Sequence, residues 1–206
     1  MNILILGGTG RVGSQLVNYA LEDKQHVTVL VRTPEKIQIN HENLTLFRGN
    51  VLNKDDIIRA IYGIDVIISA LNTDGGTTLS ESMPFIIEAM EKEGIKRIIT
   101  IGTAGILQSR ISPKLLRYQS SESKQKSVRA AQEHNKVYDM LQQSNLEWTI
   151  VCPTYLPDGE RLGKYRIEPN FLPEGGSKIS VPDTAEFAFS QIKSSDYIKT
   201  RVGIAY

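Results

Sequence analysis

The sequence predicts an α/β fold: a doubly wound parallel sheet with helices on both faces and a small C-terminal region beside it. Three observations carry this. Apolar, strand-like runs alternate with helical stretches along the chain. The first run empties into a glycine-rich turn, Gly7-Gly8-Thr9-Gly10-Arg11-Val12-Gly13. A second apolar run, His26 to Val31, follows at the distance of a βαβ unit.

The elements follow in order. Residues 2–6 are apolar and β-prone, and residues 11–22 place Val12, Leu16, Val17, Ala20 and Leu21 at helical spacing. Strands are expected at 2–6, 26–31, 44–47, 64–70, 96–101 and 146–151. Helices are expected at 11–22, 54–62, 82–93, 122–144 and 182–194. Asn53 suits the cap of the second helix, whose first turn carries Asp55 and Asp56. Pro84 suits the first turn of the third, and Gly94 closes it. Two segments break the regularity, 102–121 and 152–180. Both follow strands, on the carboxyl edge where such sheets bind ligands, and their length favours binding loops over plain connections.

The 206 residues read as a single domain, 1–206, with 152–180 as a loop region on the substrate side. A net charge of +1 gives no argument for nucleic acid. Cys152 is the only cysteine, which excludes an intrachain disulfide and a cysteine-based metal site, and it reads as a small buried apolar residue. No His, Asp and Glu spacing suggests a metal. No apolar stretch approaches the ~20 residues of a membrane span, so a soluble cytoplasmic protein is expected.

The chemistry starts at the glycines. Gly7, Gly10 and Gly13 fall at GxxGxxG spacing after a strand and before a helix, the arrangement that holds a dinucleotide pyrophosphate at a helix N-terminus. NAD sites usually place an acid at the end of the second strand. Here residues 27–34 hold no carboxylate, and Arg32 stands available for a 2′-phosphate with Thr33 beside it. NADP is therefore preferred. From topology, Asn50 and Val51 face the adenine, and Ala70 and Leu71 line the path to the nicotinamide.

The glycine turn, Val31-Arg32, Gly49-Asn50-Val51, Asp65 to Leu71, His134-x-x-x-Tyr138-Asp139, Trp148 to Pro153, Ile179-Ser180 and Arg201 to Tyr206 together resemble a known group. The chain is similar to the atypical short-chain dehydrogenase/reductases, within them the flavin reductase/biliverdin reductase B-like and NmrA-like NAD(P)-binding proteins. The resemblance covers almost the whole chain. It implies a Rossmann fold, NADP (NADPH) as cofactor, a small-molecule acceptor such as a flavin, and often a monomer. It assigns Thr9, Gly10, Arg11 and Val12 to the pyrophosphate loop, alongside the Gly7 and Gly13 of the glycine spacing, and Arg32 to the 2′-phosphate. Thr103 then falls near the nicotinamide, and Pro153, Thr154, Tyr155 and Leu156 along its amide.

One departure matters. Better-known members use a Tyr-x-x-x-Lys pair to protonate a carbonyl; here Ala130 and His134 stand at those positions. Reduction of a simple ketone, or sugar epimerisation, then lacks its acid. A flavin-like or quinone-like acceptor spreads the incoming electron pair over its rings and can take a proton from water. Thr103 and His134 are the candidate catalytic residues; His134 binds the ribose or gives a proton, or else makes a structural hydrogen bond. Tyr118, Tyr155 and Tyr165 are candidates for stacking on a flat acceptor. Two functions remain: an NADPH-dependent oxidoreductase, or a non-catalytic NADP-binding redox sensor of NmrA-like type.

Overall fold

A computed structural model of the chain describes residues 1–73, 75–123 and 127–206. The strands are β1 (Asn2–Leu6), β2 (His26–Val31), β3 (Leu44–Arg48), β4 (Val66–Ser69), β5 (Arg97–Ile101), β6 (Glu147–Pro153), β7 (Arg166–Pro169) and β8 (Thr200–Ala205). The helices are α1 (Arg11–Glu22), α2 (Lys54–Ala60), α3 (Thr78–Glu93), α4 (Arg129–Gln143) and α5 (Val181–Ser190). The strands form one sheet in the order β3-β2-β1-β4-β5-β6-β8-β7. All neighbours are parallel except β7 and β8, which are antiparallel. This is a Rossmann-type doubly wound fold.

The order reverses at β1, which pairs with β2 on one side and β4 on the other. Ligands bind such sheets outside the strand ends at this reversal. β1 can sit there because it is apolar on both faces. Ile3 and Ile5 pack with Leu16 and Val17 of α1 and Ala185 and Phe187 of α5. Leu4 and Leu6 pack with Ile57 of α2, Met83 and Ile86 of α3, and Val137 and Leu141 of α4. Each of these fully buried β1 side chains contributes about 1.5–3 kcal/mol of transfer free energy, which outweighs any single surface contact at the strand ends.

Asn53 caps α2 as expected, its carboxamide oxygen accepting from the N–H groups of Asp55 and Asp56. Gly94 ends α3 in the left-handed conformation. Four expectations need correction. α3 begins at Thr78, four residues before 82, with Leu79 and Met83 buried and Glu81 in its first turn. Pro84 therefore lies in the second turn, where it leaves the Ser80 carbonyl without its usual helical donor. α4 begins at Arg129 rather than 122. Glu122 is held in the preceding loop, accepting from the Arg110 N–H and pairing with Arg117, while residues 124–126 of the expected helix lie outside the described residues. α5 stops at Ser190 rather than 194, because Arg97 donates from Nε and Nη2 to the Gln191 carbonyl just past its end. Finally, the C-terminal region adds β7 and β8 to the sheet itself.

Candidate functional site

The glycine turn is built by close approach. Gly7 has φ +80°, and a Cβ there would stand 2.5 Å from the Ala70 carbonyl oxygen at the end of β4. A Cβ on Gly13 would stand 2.1 Å from the Gly7 carbonyl oxygen, so only glycine lets α1 lie against the turn. Gly10 caps α1 with no side chain, and Ser14 is the first residue to donate to it, at 2.9 Å. The N–H groups of Arg11, Val12 and Gly13 are thus without helical partners, at the positive end of the helix dipole.

This turn forms one wall of a cleft of about 300 Å³. Leu30 to Arg32 and Gly49 to Leu52 form a second wall, and Ala70 to Asn72 with Thr78 close the third. The second wall is fixed by its own hydrogen bonds. The Asp56 carboxylate accepts from the Asn50 N–H at 2.8 Å, and Asn50 Oδ1 accepts from the Leu52 N–H at 3.1 Å. That backbone hydrogen bond to Asn50 is the main reason the Asp56 carboxyl lies below the usual carboxylate range. Arg32 is the only charged residue among the described residues lining this cleft. Its neighbour Arg48 is paired with Glu35, whereas Arg32 has no ion-pair partner among the described residues.

A second cleft, about 520 Å³, opens beside β5 and β6. Its lining runs from Thr103, Ala104 and Gly105 through Arg117 and Tyr118 to Ala130 and Ala131 on α4, and to Thr154 and Tyr155 after β6. Thr103 Oγ1 accepts from the Gly105 N–H at 3.3 Å, which leaves its hydroxyl proton available to donate. The turn is backed by Arg201, a buried guanidinium that donates to the Ile106 carbonyl and lies over the Tyr138 ring at 4.3 Å.

From residue 7 to residue 195 the sequence matches a family described as NAD(P)H-binding. The chain belongs to that NAD(P)H-binding family. Photosystem II assembly factor Ycf39 of Synechocystis sp. is 28% identical over 174 residues, covering 81% of this chain and 48% of Ycf39. The chain spans half or less of the length of the curated relatives it matches. A Bacteroides thetaiotaomicron structure provisionally assigned as an epimerase aligns with TM-score 0.87 at 28% identity, covering 100% of this chain and 96% of that one. ChuY, an anaerobillin reductase from Escherichia coli O157:H7, aligns with TM-score 0.83 at 21% identity, covering 100% and 97%, a likeness of fold. These solved structures share the Rossmann-type fold of this chain.

Of the expected site residues, Gly7, Thr9, Gly10, Arg32, Asn50, Val51, Ala70 and Leu71 meet at the first cleft. Thr103, Thr154, Tyr155 and Tyr118 meet at the second. Others lie elsewhere. Val12 is buried in the α1 face and Gly13 is pressed on the turn. Thr33 is exposed beyond Arg32, and Pro153 is buried at the end of β6. Arg11 reaches away to the Leu156 carbonyl at 2.9 Å and to Asp158 at 3.0 Å. Tyr165 packs edge-on against Phe187, at 6.1 Å between ring centres, outside both linings. His134 lines neither cleft, and desolvation holds its imidazole down at about 4, so it is neutral near pH 7. Cys152 is buried as expected, and burial pushes its thiol up to about 12.

Sequence reasoning missed Gly8, Leu30, Gly49, Leu52, Asn72 and Thr78 in the first cleft, and Leu172, Gly176 and Ser177 in the second. Most flank motifs already singled out. Thr78 and Leu172 arrive from distant segments and carry no local signal. No helix among the described residues is long and apolar enough to cross a membrane.

Proposed function

We propose that the protein is an NADPH-dependent oxidoreductase that delivers a hydride to a conjugated, flavin-like or quinone-like acceptor. The observation that carries it is the pair of clefts beyond the ends of neighbouring strands of one sheet, the first with glycine walls and, among its described lining residues, no acid and Arg32 as the sole charge. That lining fits NADP. The close approach at Gly7 and Gly13 leaves room for a pyrophosphate over the unpartnered N–H groups of α1, and Arg32 suits a 2′-phosphate. The nicotinamide, when bound, supplies the hydride.

The chain's own groups then bind, orient and shield. Ala70 and Leu71 border the first cleft toward β5, where Thr103 begins the second. Thr103 offers a hydroxyl donor at this junction. Ala130 lines the second cleft on α4 where a tyrosine would serve a ketone reductase, and the neutral His134 is one turn further on. An acceptor that stores the electron pair in its rings needs no strong local acid, and holding the two partners in contact is a large part of its catalysis. The name of ChuY as a reductase supports the same reading.

The test is NADPH oxidation by the purified protein, followed by absorbance, before and after addition of FMN or a soluble quinone. Rapid protein-dependent oxidation is the expected result. Bound NADPH with no oxidation by either acceptor overturns the reading and favours a non-catalytic NADP sensor.

A further inference from the structure

The second cleft holds a charge arrangement that the reduction chemistry does not require. Arg117 and Glu122 both line it. They form an ion pair at 2.7 Å whose side chains are only 18% and 14% exposed. Shielded pairs of this kind contribute little net stability, because desolvation offsets the attraction.

The two partners differ in what they have left to offer. The Glu122 carboxylate is saturated: Oε1 takes Arg117, and Oε2 takes the Arg110 N–H at 2.9 Å. Burial pushes its carboxyl up, but hydrogen bonds from Ser109, Arg110 and Ile111 and the Arg117 charge outweigh that and leave it below the ordinary value. Arg117 commits only Nη1 to the pair. A guanidinium carries five N–H donors, and no other described residue takes the rest. Arg117 is also the only cation among the described residues lining the cleft. The spare capacity is therefore a donor's, and it suits an anion.

The position is rigid. The Arg117 N–H donates to the Leu107 carbonyl at 2.8 Å, and the Gln108 N–H donates to the Asn170 carbonyl at 2.8 Å just past β7. Tyr118 and Tyr155, on the same lining, offer aromatic faces to a flat ring.

We propose that the Arg117–Glu122 pair is a charge filter that selects a planar acceptor bearing an anionic tail, a phosphate or a carboxylate, and docks that tail on Arg117. Glu122 keeps the guanidinium in place and tempers its charge. The proposal rests on the reading that an acceptor enters the second cleft.

The experiment measures binding by quenching of flavin fluorescence, with no turnover needed. The probes are FMN, riboflavin, and a flavin with a carboxyalkyl chain in place of the ribityl phosphate. All three carry the same ring system. The wild type is expected to prefer FMN or the carboxyalkyl flavin to riboflavin, and the tighter of the two assigns the tail. Arg117→Gln should cut that preference about tenfold or more, the scale of a charge-assisted hydrogen bond. Arg117→Lys should keep part of it. Glu122→Gln should move it the opposite way, because the tail no longer meets a neighbouring carboxylate. Equal affinity for all three flavins, no binding of any, or equal losses for charged and uncharged flavins in Arg117→Gln would each overturn the proposal. The expected pattern of binding without NADPH oxidation would instead overturn the oxidoreductase reading and leave this one standing.

Discussion

Arg11, the first residue of α1, donates to the Leu156 carbonyl at 2.9 Å and pairs with Asp158 at 3.0 Å. One side chain thus ties the glycine turn of the first cleft to the loop after β6, whose Thr154 and Tyr155 line the second. Both charged groups are largely exposed, with side chains 58% and 81% accessible, so the pair contributes little to stability. Its importance is as a link between the clefts.

Arg11→Ala is expected to leave the melting temperature within a degree or two. It should weaken NADPH and NADH by the same small factor, because the pyrophosphate at the α1 end is common to both. Titration calorimetry with the two cofactors checks this, and a loss confined to NADPH would remove Arg11 from the pyrophosphate region.

Arg32→Ala should behave differently. A 2′-phosphate held by a guanidinium is a charge-assisted contact of about 1.5–3 kcal/mol, so NADPH affinity should fall about tenfold or more while NADH affinity stays nearly constant. Parallel losses for both cofactors would dismiss the 2′-phosphate role.

Gly13→Ala tests the architecture of the turn. The added Cβ would stand 2.1 Å from the Gly7 carbonyl oxygen, a clash that only backbone movement relieves. A loss of about 1–3 kcal/mol in urea unfolding is expected, in the range of core overpacking, together with weaker binding of either cofactor. Unchanged stability would mean that α1 can shift away from the turn without penalty.

His134 gives a pH signature. Desolvation, the first cause, lowers its folded-state value to about 4 from the ordinary 6.5, and the Glu133 charge opposes this only in part. The unfolded chain therefore binds this proton first as pH falls. Stability is full above about pH 6.5 and is lost between there and about pH 4. His134→Gln should flatten that part of the profile in urea unfolding at pH 7, 5.5 and 4.5. An unchanged slope would assign the acid sensitivity to other groups.

The β1 turn, Arg32 and the strand-end residues near β3 and β4 were legible because each depends on local pattern: apolar runs, glycine spacing and the presence or absence of a charge. The less legible parts depend on contacts between distant segments. Glu122 is an exception, captured within its own loop by the Arg110 N–H and by Arg117, a turn that has no apolar or glycine pattern to announce it. Nothing near 190 shows that Arg97 will end α5. β7 has only four residues, two of them charged, Arg166 and Glu168, so no apolar run announces it. β8 carries Arg201 beside the apolar residues Val202, Ile204 and Ala205. That arginine becomes intelligible only beside the Ile106 carbonyl and the Tyr138 ring. His134 is the instructive case, since its position in the resemblance suggested chemistry while its surroundings make it a neutral, desolvated imidazole.

The sheet order has a consequence for how the chain matures on the ribosome. β8 lies between β6 and β7, and β7 has no other neighbour in the sheet. A nascent chain that has emerged only as far as residue 199 carries the residues of β1 to β6 and the described walls of the first cleft. It cannot seat β7, and it lacks the Arg201 that backs the 104–106 turn. The described walls of the first cleft are therefore complete in sequence by residue 78, whereas the neighbouring cleft draws on residues 103–177 and is backed by Arg201 of β8.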